Sequence, residues 1–339
     1  MARVRIADVA ALAGVSKGAA SFALNGRPGV SDETRARVLR AAVELGWAPH
    51  AAARALAGGR TDTIGLVMNR PPHLRGVQPL FQRYLEGVQD ELVDHAISLL
   101  IKVVAGHRAE LATFEEWAHG TRVDGLVVID LRIEDDRPAA ARKVGLPIVV
   151  LGDPAHAAGA PAVWVDDRAT AVEVIAHLTG LGHRRIARVG NGARLAHTQV
   201  RSEALLAAAR DAGLPEPVVV NAEIASPAGQ DLTRELLTRP DRPTAIIFEN
   251  DLQAMAGMAV AADLGLDVPG DLSVTAWDSS GLGQLTLPNV TTVHDDAHER
   301  GAHAVRLLLS LIEGEQPRDE QDPPGRLNVR ESTGPVPVG

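Results

Sequence analysis

No cysteine occurs among the 339 residues, so disulfides, thiolate catalysis and Cys-ligated zinc or iron–sulfur sites are excluded. Aromatic residues make up only 3 %, which leaves Ala, Val, Leu and Ile to build the cores. No apolar run approaches the ~20 residues of a membrane-spanning helix. The opening MARVRIADVAALAG also lacks the sustained apolar stretch of a secretory signal. A cytoplasmic location without membrane contact is the expectation. Catalytic signatures are missing too: there is no GxSxG, no GxxxxGK followed by Ser or Thr, and no His pair at zinc spacing beside a Glu. Twelve histidines are present, as are adjacent carboxylates at Asp135 and Asp136, Asp166 and Asp167, and Asp295 and Asp296. Neighbours on a strand point to opposite faces, so such pairs are not an acid/base couple by spacing alone. The sequence therefore predicts no catalysis, no cofactor and no bound metal.

What is present is uneven in charge. Residues 1–60 carry nine Lys or Arg and four Asp or Glu, a formal charge of +5; the whole chain is −9, which leaves −14 for residues 61–339. A basic head on an acidic body is the asymmetry expected when only one end meets phosphates. In that head Val9, Ala10 and Ala13 share a face of a first helix, and Gly14 suits its left-handed end. Ser16 suits the N-cap of a second helix. Two helices joined by so tight a Gly-containing turn predict a helix-turn-helix, whose second helix can enter the major groove of double-stranded DNA. A third helix starts near Ser31, with Asp32 and Glu33 in the first turn and Val38, Leu39, Ala42 and Leu45 as its inward stripe. The Ala-rich stretch of about 50–58 reads as a short helix, too short to be stable alone, in the position of a hinge.

From residue 61 apolar strand-length runs alternate with helical periodicity: TIGLVM (63–68), ISLLIKVV (97–104), DGLVVID (124–130), PIVVLGD (147–153), AVWVD (162–166), RRIARVG (184–190), AIIFEN (245–250) and LSVTAWD (272–278) are the clearest runs. Continuous apolar strands separated by helices predict parallel sheets covered on both faces. At ~150 residues per domain, the length fits two α/β lobes better than one sheet. The Pro-rich stretch 317–324 reads as loop.

These pieces together resemble the LacI/GalR family of transcriptional regulators. The resemblance is carried by IADVAALAGVS, LNGRPGVSDETRARV, AAARAL, TIGLV, VDGLVV, HLTGLGHRRIA (177–187), TAIIFENDLQAMAGM (244–258), VPGDLSVTAWD, LPNVTTV (287–293) and VRESTGP (329–335). It implies an all-α helix-turn-helix head with a hinge helix (1–60) and a two-lobed α/β body like a periplasmic binding protein (61–339). By resemblance the first lobe takes about 61–160 and 291–321, and the second about 161–290 and 322–339. The implied partners are operator DNA, a second copy of the chain in a homodimer, and a small effector in the cleft; the implied function is effector-controlled regulation, most often repression.

On the second helix Ala20 and Leu24 are placed toward the bundle core, leaving Lys17, Gly18, Ser21 and Phe22 as the outward stripe. The family reads bases from positions matching Lys17, Gly18 and Phe22. Where relatives commonly carry Arg, Phe22 cannot read guanine bidentately; it either touches a thymine methyl or sugar, or folds into the small core. Ser16, Asn25 and Arg35 are candidate phosphate-positioning residues. Arg54 lies in the hinge, and Leu56 matches the family's minor-groove wedge. Histidine 50 stands where the family usually has the hinge's Asn cap. For the effector, Arg201, Asn250 and Asp278 match family ligand contacts and suit a polyol: a fork of donors, a mixed amide and an acceptor of two hydroxyls. Phe81, Trp164 and Asp166 are further candidates, with Trp164 either stacking on a sugar face or filling a lobe interface. Trp277, in place of the usual Phe, reads as core. A carbohydrate effector is expected, with a purine or nucleoside as the alternative.

Overall fold

The computed structural model describes residues 4–24, 28–47, 60–70, 79–192, 194–222 and 227–336. The chain divides into two compact units, Met1–Thr61 and Asp62–Gly339.

The first unit holds three helices: α1 (Ile6–Ala13), α2 (Lys17–Leu24) and α3 (Asp32–Glu44). Gly14 ends α1 at φ +64 and turns its N–H back onto Ala10 and Ala11. Only one turn later Ser16 caps α2 by accepting from the Ala19 N–H at 3.1 Å. The two helices meet at 101°, within the range of a helix-turn-helix pair. Ser31 caps α3 in the same way, accepting from Thr34 N–H. Val9, Ala10, Ala13, Ala20, Ala23, Val38, Ala41 and Ala42 form a core of mostly alanines, which lets the three short helices approach closely. Leu24, Leu45 and Trp47 pack around its margin, whereas Leu39, placed inward by periodicity, is exposed.

The second unit contains two six-stranded sheets. In chain order its main elements are β1 (Thr63–Asn69), α4 (Pro79–Asp94), β2 (Ser98–Val104), α5 (His107–His119), β3 (Gly125–Val128), α6 (Arg137–Lys143), β4 (Ile148–Leu151) and β5 (Ala162–Val165). There follow α7 (Asp167–Gly180), β6 (Ile186–Gly190), α8 (Ala196–Asp211), β7 (Val218–Asn221), α9 (Pro227–Thr238), β8 (Ala245–Asn250), α10 (Asp251–Asp263) and β9 (Ser273–Asp278). The chain then returns through β10 (Thr291–His294), α11 (Ala297–Ile312), β11 (Glu320–Asp322) and β12 (Arg326–Asn328). The first sheet runs β11-β5-β4-β3-β1-β2 and the second β12-β10-β9-β8-β6-β7. All their pairings are parallel except β10 with β12. Helices cover both faces of each sheet, which is why the strands read as unbroken apolar runs.

Two boundaries differ from the sequence reading. Strand β5, placed at the start of the second lobe, pairs with β4, and its Val163 packs in the first lobe's core. Strand β10, placed in the first lobe, pairs with β9, and its Val293 packs in the second. The crossovers therefore follow β5, β10 and β11, so each lobe closes its own sheet before the chain leaves. The stretch read as loop at 317–324 contains β11, a short edge strand on β5; its prolines flank the paired residues and cost no ladder bond. Helices α4 and α11 pack across glycines: a Cβ on Gly87 would collide with the His298 carbonyl, and one on Gly301 with that of Tyr84. Among the described residues no single helix is long and apolar enough to cross a membrane; the bent pair α1–α2 passes only as a pair and supplies the head's own core.

Candidate functional site: a helix face and a charged cleft

In the head, the outward stripe of α2 is open. Lys17 and Gly18 are exposed, Ser21 is half-buried, and Phe22 is 42 % exposed, lying over Gly29 rather than in the core. The alanines at 20 and 23 take the buried positions, so no room is left for the phenyl ring inside. Ser16 is exposed, with its hydroxyl engaged by the cap. Arg35 is half-buried on α3. Arg37 ties α3 to the end of α1 by donating to the Ala13 carbonyl at 2.9 Å. Asn25, Arg54 and Leu56, with the expected hinge of about 50–58, lie outside the described residues.

Between the two lobes lies a cavity of about 530 Å³. It sits beyond the C-terminal ends of the strands, where open parallel sheets bind ligands. Phe81, Trp164, Arg201, Asn250 and Asp278 all line it. Asp166 does not: its carboxylate caps α7 by accepting from the Arg168 and Ala169 N–H groups, so its next neighbour Asp167 is the one that faces the cavity. A residue at the strand-to-helix junction is turned by the cap, and strand alternation no longer decides which side it faces.

The floor of the cavity is an ionic network that sequence reasoning only partly found. The Arg201 guanidinium, buried on α8, donates from Nη1 to Glu249 Oε1 at 2.6 Å and to Asp278 Oδ2 at 3.0 Å, and from Nε to Asp167 at 3.3 Å. Its Nη2 lies 2.9 Å from Asp278 Oδ1. Burial opposes the charge on Arg201, but Asp278, Asp167 and Glu249 hold its pKa well above the ordinary arginine value. Behind it, Arg188 donates from Nη2 to Glu249 Oε2 at 2.6 Å and from Nε to Ser202. Both guanidiniums lie over the Trp277 ring, at 5.2 and 5.6 Å from its centroid. Trp277 is in the core, as its sequence context indicated, but its indole N–H also donates to Asp167 at 3.0 Å.

Burial would raise the Glu249 carboxyl, yet Arg188 and Arg201 hold it down to about 2. Asp278 goes the other way: burial, opposed by Arg201 but helped by Asp295 and Glu249, pushes it up to about 6. Asn250 caps α10 with Oδ1, accepting from Gln253 N–H at 2.9 Å. Asp251 pins the following loop, accepting from the Ser280 N–H and hydroxyl and from Gly283 N–H.

Asp167, Glu249 and Arg188 were missed. The only signal for the last two was a charged residue inside each of two apolar strands, RRIARVG and AIIFEN; a buried charge there demands a partner. Neighbouring β6 and β8 set Arg188 directly beside Ile247 in register, within reach of Glu249. Among the described residues no cluster of acidic or histidine side chains could hold a metal ion.

Comparison with known proteins agrees with both halves. A profile for bacterial regulatory proteins of the lacI family matches residues 5–50, and one for a periplasmic binding protein-like domain matches residues 175–333. The HTH-type transcriptional regulator AglR of Rhizobium meliloti is 31 % identical, covering 98 % of this chain and 95 % of its own. Among solved structures, a LacI family transcriptional regulator from Bifidobacterium animalis subsp. lactis is 31 % identical, with a TM-score of 0.75 over 82 % of this chain and 100 % of that one. A transcriptional regulator CelR–cellobiose complex is 28 % identical, with a TM-score of 0.73 over 97 % of this chain and 100 % of that one. With a helix-turn-helix head, a two-lobed body with a cleft and near full-length similarity to such regulators, the chain belongs to the lacI family of ligand-responsive, DNA-binding transcription regulators.

Proposed function

We propose that this protein is a homodimeric repressor controlled by a neutral, polyhydroxylated effector of the sugar class. The observation that carries the effector reading is the charge balance of the cavity: Arg201 is held by Asp167, Glu249 and Asp278, and Arg70, Arg132, Arg137 and Arg300 in the lining are each paired with a carboxylate, so the site offers a ligand polar groups of both kinds whose charges already compensate one another. Such a surface suits neutral hydroxyls, which donate to carboxylates and accept from guanidiniums. Phe81 and Trp164 supply apolar faces for a sugar ring. The cellobiose bound by the similar CelR regulator adds to this reading. Effector binding alters operator affinity by favouring one arrangement of the lobes over another. Lys17, Gly18, Ser21 and Phe22 meet base edges, Ser16, Asn25 and Arg35 position phosphates, and Arg54 and Leu56 act in the hinge. Edge strand β2 with its exposed Ile101 and Val103, together with Val93, supports pairing of two copies through the first lobe.

The test is a thermal-shift screen of cellobiose and other neutral mono- and disaccharides beside nucleosides and purines, followed by operator release. A sugar that raises the melting temperature and changes operator affinity supports the reading, provided Asp278→Ala loses both responses and still binds operator. A purine or nucleoside as the sole responder overturns the sugar class. A monomer in light scattering overturns the dimer.

A further inference from the structure

Three carboxylates meet the Arg201 guanidinium, and they are not equally engaged. Glu249 is 1 % exposed and both its oxygens are taken: Oε1 accepts from Arg201, and Oε2 from Arg188 and from the Asn191 N–H. Asp278 turns both oxygens to Arg201, with Oδ2 accepting from Nη1 and Oδ1 buried 2.9 Å from Nη2. Asp167 is held by one oxygen alone. Its Oδ1 accepts from Arg201 Nε at 3.3 Å and from the Trp277 indole N–H at 3.0 Å. Its Oδ2 accepts no hydrogen bond among the described residues, and the side chain lines the cavity. A carboxylate oxygen can take two donors, so Oδ2 is an acceptor open to whatever enters.

Trp277 decides which way Asp167 points. Asp167 is the first residue of α7, and a short carboxylate there has the unpaired N–H groups of the first turn as competing partners. The Arg201 Nε contact is the longest that this guanidinium makes and competes with two other carboxylates. The indole has no such freedom. Trp277 lies on β9, is 2 % exposed, and has the Arg188 and Arg201 guanidiniums over its ring. An indole N–H only donates, so the clamped ring draws Oδ1 to itself and leaves Oδ2 to the cavity.

We propose that Asp167 is a specificity-determining contact, whose Oδ2 accepts one hydroxyl of the effector, and that Trp277 is the positioning residue that holds the carboxylate for it. The inference rests on the reading of the cavity as the site of a neutral, polyhydroxylated effector. It assigns discrimination to a single hydroxyl. An acceptor aimed at one hydroxyl rejects the analogue that lacks it, because the buried oxygen is then left unpaired.

The probes are cellobiose and the other neutral sugars, nucleosides and purines of the thermal-shift panel, used with the full chain. A compound that raises the melting temperature is compared by calorimetry with its monodeoxy analogues, in the parent, Asp167→Ala and Trp277→Phe. Phenylalanine keeps an aromatic face beneath both guanidiniums and removes only the N–H donor. The parent should bind one monodeoxy analogue about ten-fold more weakly than the responder, the low end for a hydrogen bond to a charged group. Both variants should bring that ratio close to one and leave the penalties at the other hydroxyls unchanged. A Trp277 that is merely structural would weaken responder and analogues alike, keep the ratio, and so overturn its positioning role. Should Asp167→Ala not fold, Trp277→Phe decides alone. A sugar whose deoxy penalties are the same in parent and variants overturns this assignment and leaves the sugar reading standing. A nucleoside responder whose penalty vanishes in both variants does the reverse. A purine base as sole responder, having no hydroxyl, or no responder at all, overturns both.

Discussion

Replacing Glu249 by Gln keeps the shape of a buried side chain and removes its charge, and the cost follows from what lies behind it. Arg188 is 0 % exposed and has Glu249 as its ion-pair partner. Its Nη1 has no hydrogen-bond partner among the described residues. Burial already presses its pKa down, with Glu249 as the chief opposing charge. Glu249→Gln therefore leaves a buried guanidinium uncompensated, which costs about 3–5 kcal/mol. Arg188→Met with Glu249→Leu removes both charges together, and Arg201 still keeps Asp278 and Asp167. That double variant should be within ~1 kcal/mol of the parent or more stable, because a buried pair seldom outweighs apolar packing. Urea unfolding followed by tryptophan fluorescence is the assay, since Trp277 lies under both guanidiniums. A Glu249→Gln cost below about 1 kcal/mol, or a double variant as damaged as the single one, would refute the electrostatic reasoning.

Phe22→Ala should leave the melting temperature of the head nearly unchanged, because the ring is 42 % exposed, while operator affinity measured by mobility shift falls; a large loss of stability would return Phe22 to the core. Gly301→Ala should destabilise the first lobe by roughly 3 kcal/mol, the upper range of overpacking, because its Cβ meets the Tyr84 carbonyl in the adjoining helix; an unaltered urea midpoint would contradict that packing. Asp278 predicts a pH effect. Its carboxyl rises from 3.8 to about 6 on folding, so its stabilising contribution is present below about pH 4 and is lost as pH climbs through 6. The melting temperature of Asp278→Asn relative to the parent should thus rise between pH 4.5 and 7, and a flat difference in calorimetry would count against the shift.

The head was legible because its signals are local. Gly14 in the left-handed region, Ser16 as a cap and Ser31 as a second cap act within one turn of helix, and a local rule needs no knowledge of distant residues. Phe22 was ambiguous in the sequence because helical periodicity gives a direction and not a volume; the alanine core has no space for it. In the cleft, Asn250 and Asp278 at strand ends and Arg201 within α8 were legible through the family resemblance, and all three line the cavity, while Asp166 was named rather than Asp167 because the capping turn reverses what alternation implies.

By itself the sequence determined the kind of protein: a basic helix-turn-helix ahead of alternating strands and helices, with parallel sheets written as unbroken apolar runs and no cysteine or catalytic signature. Only the tertiary structure decided which strand closes each lobe, since neither β5 (AVWV) nor β10 (TTVH) carries in its residues a mark of the sheet it joins. It alone also assembled the floor of the cavity, where Arg188, Arg201, Glu249 and Asp278 come from four different elements, and the backbone hydrogen bonds that join Leu131–Ile133 to Arg194–Ala196. Buried charges and backbone bonds between distant segments are settled by packing and low dielectric, and neither leaves a period or a spacing along the chain.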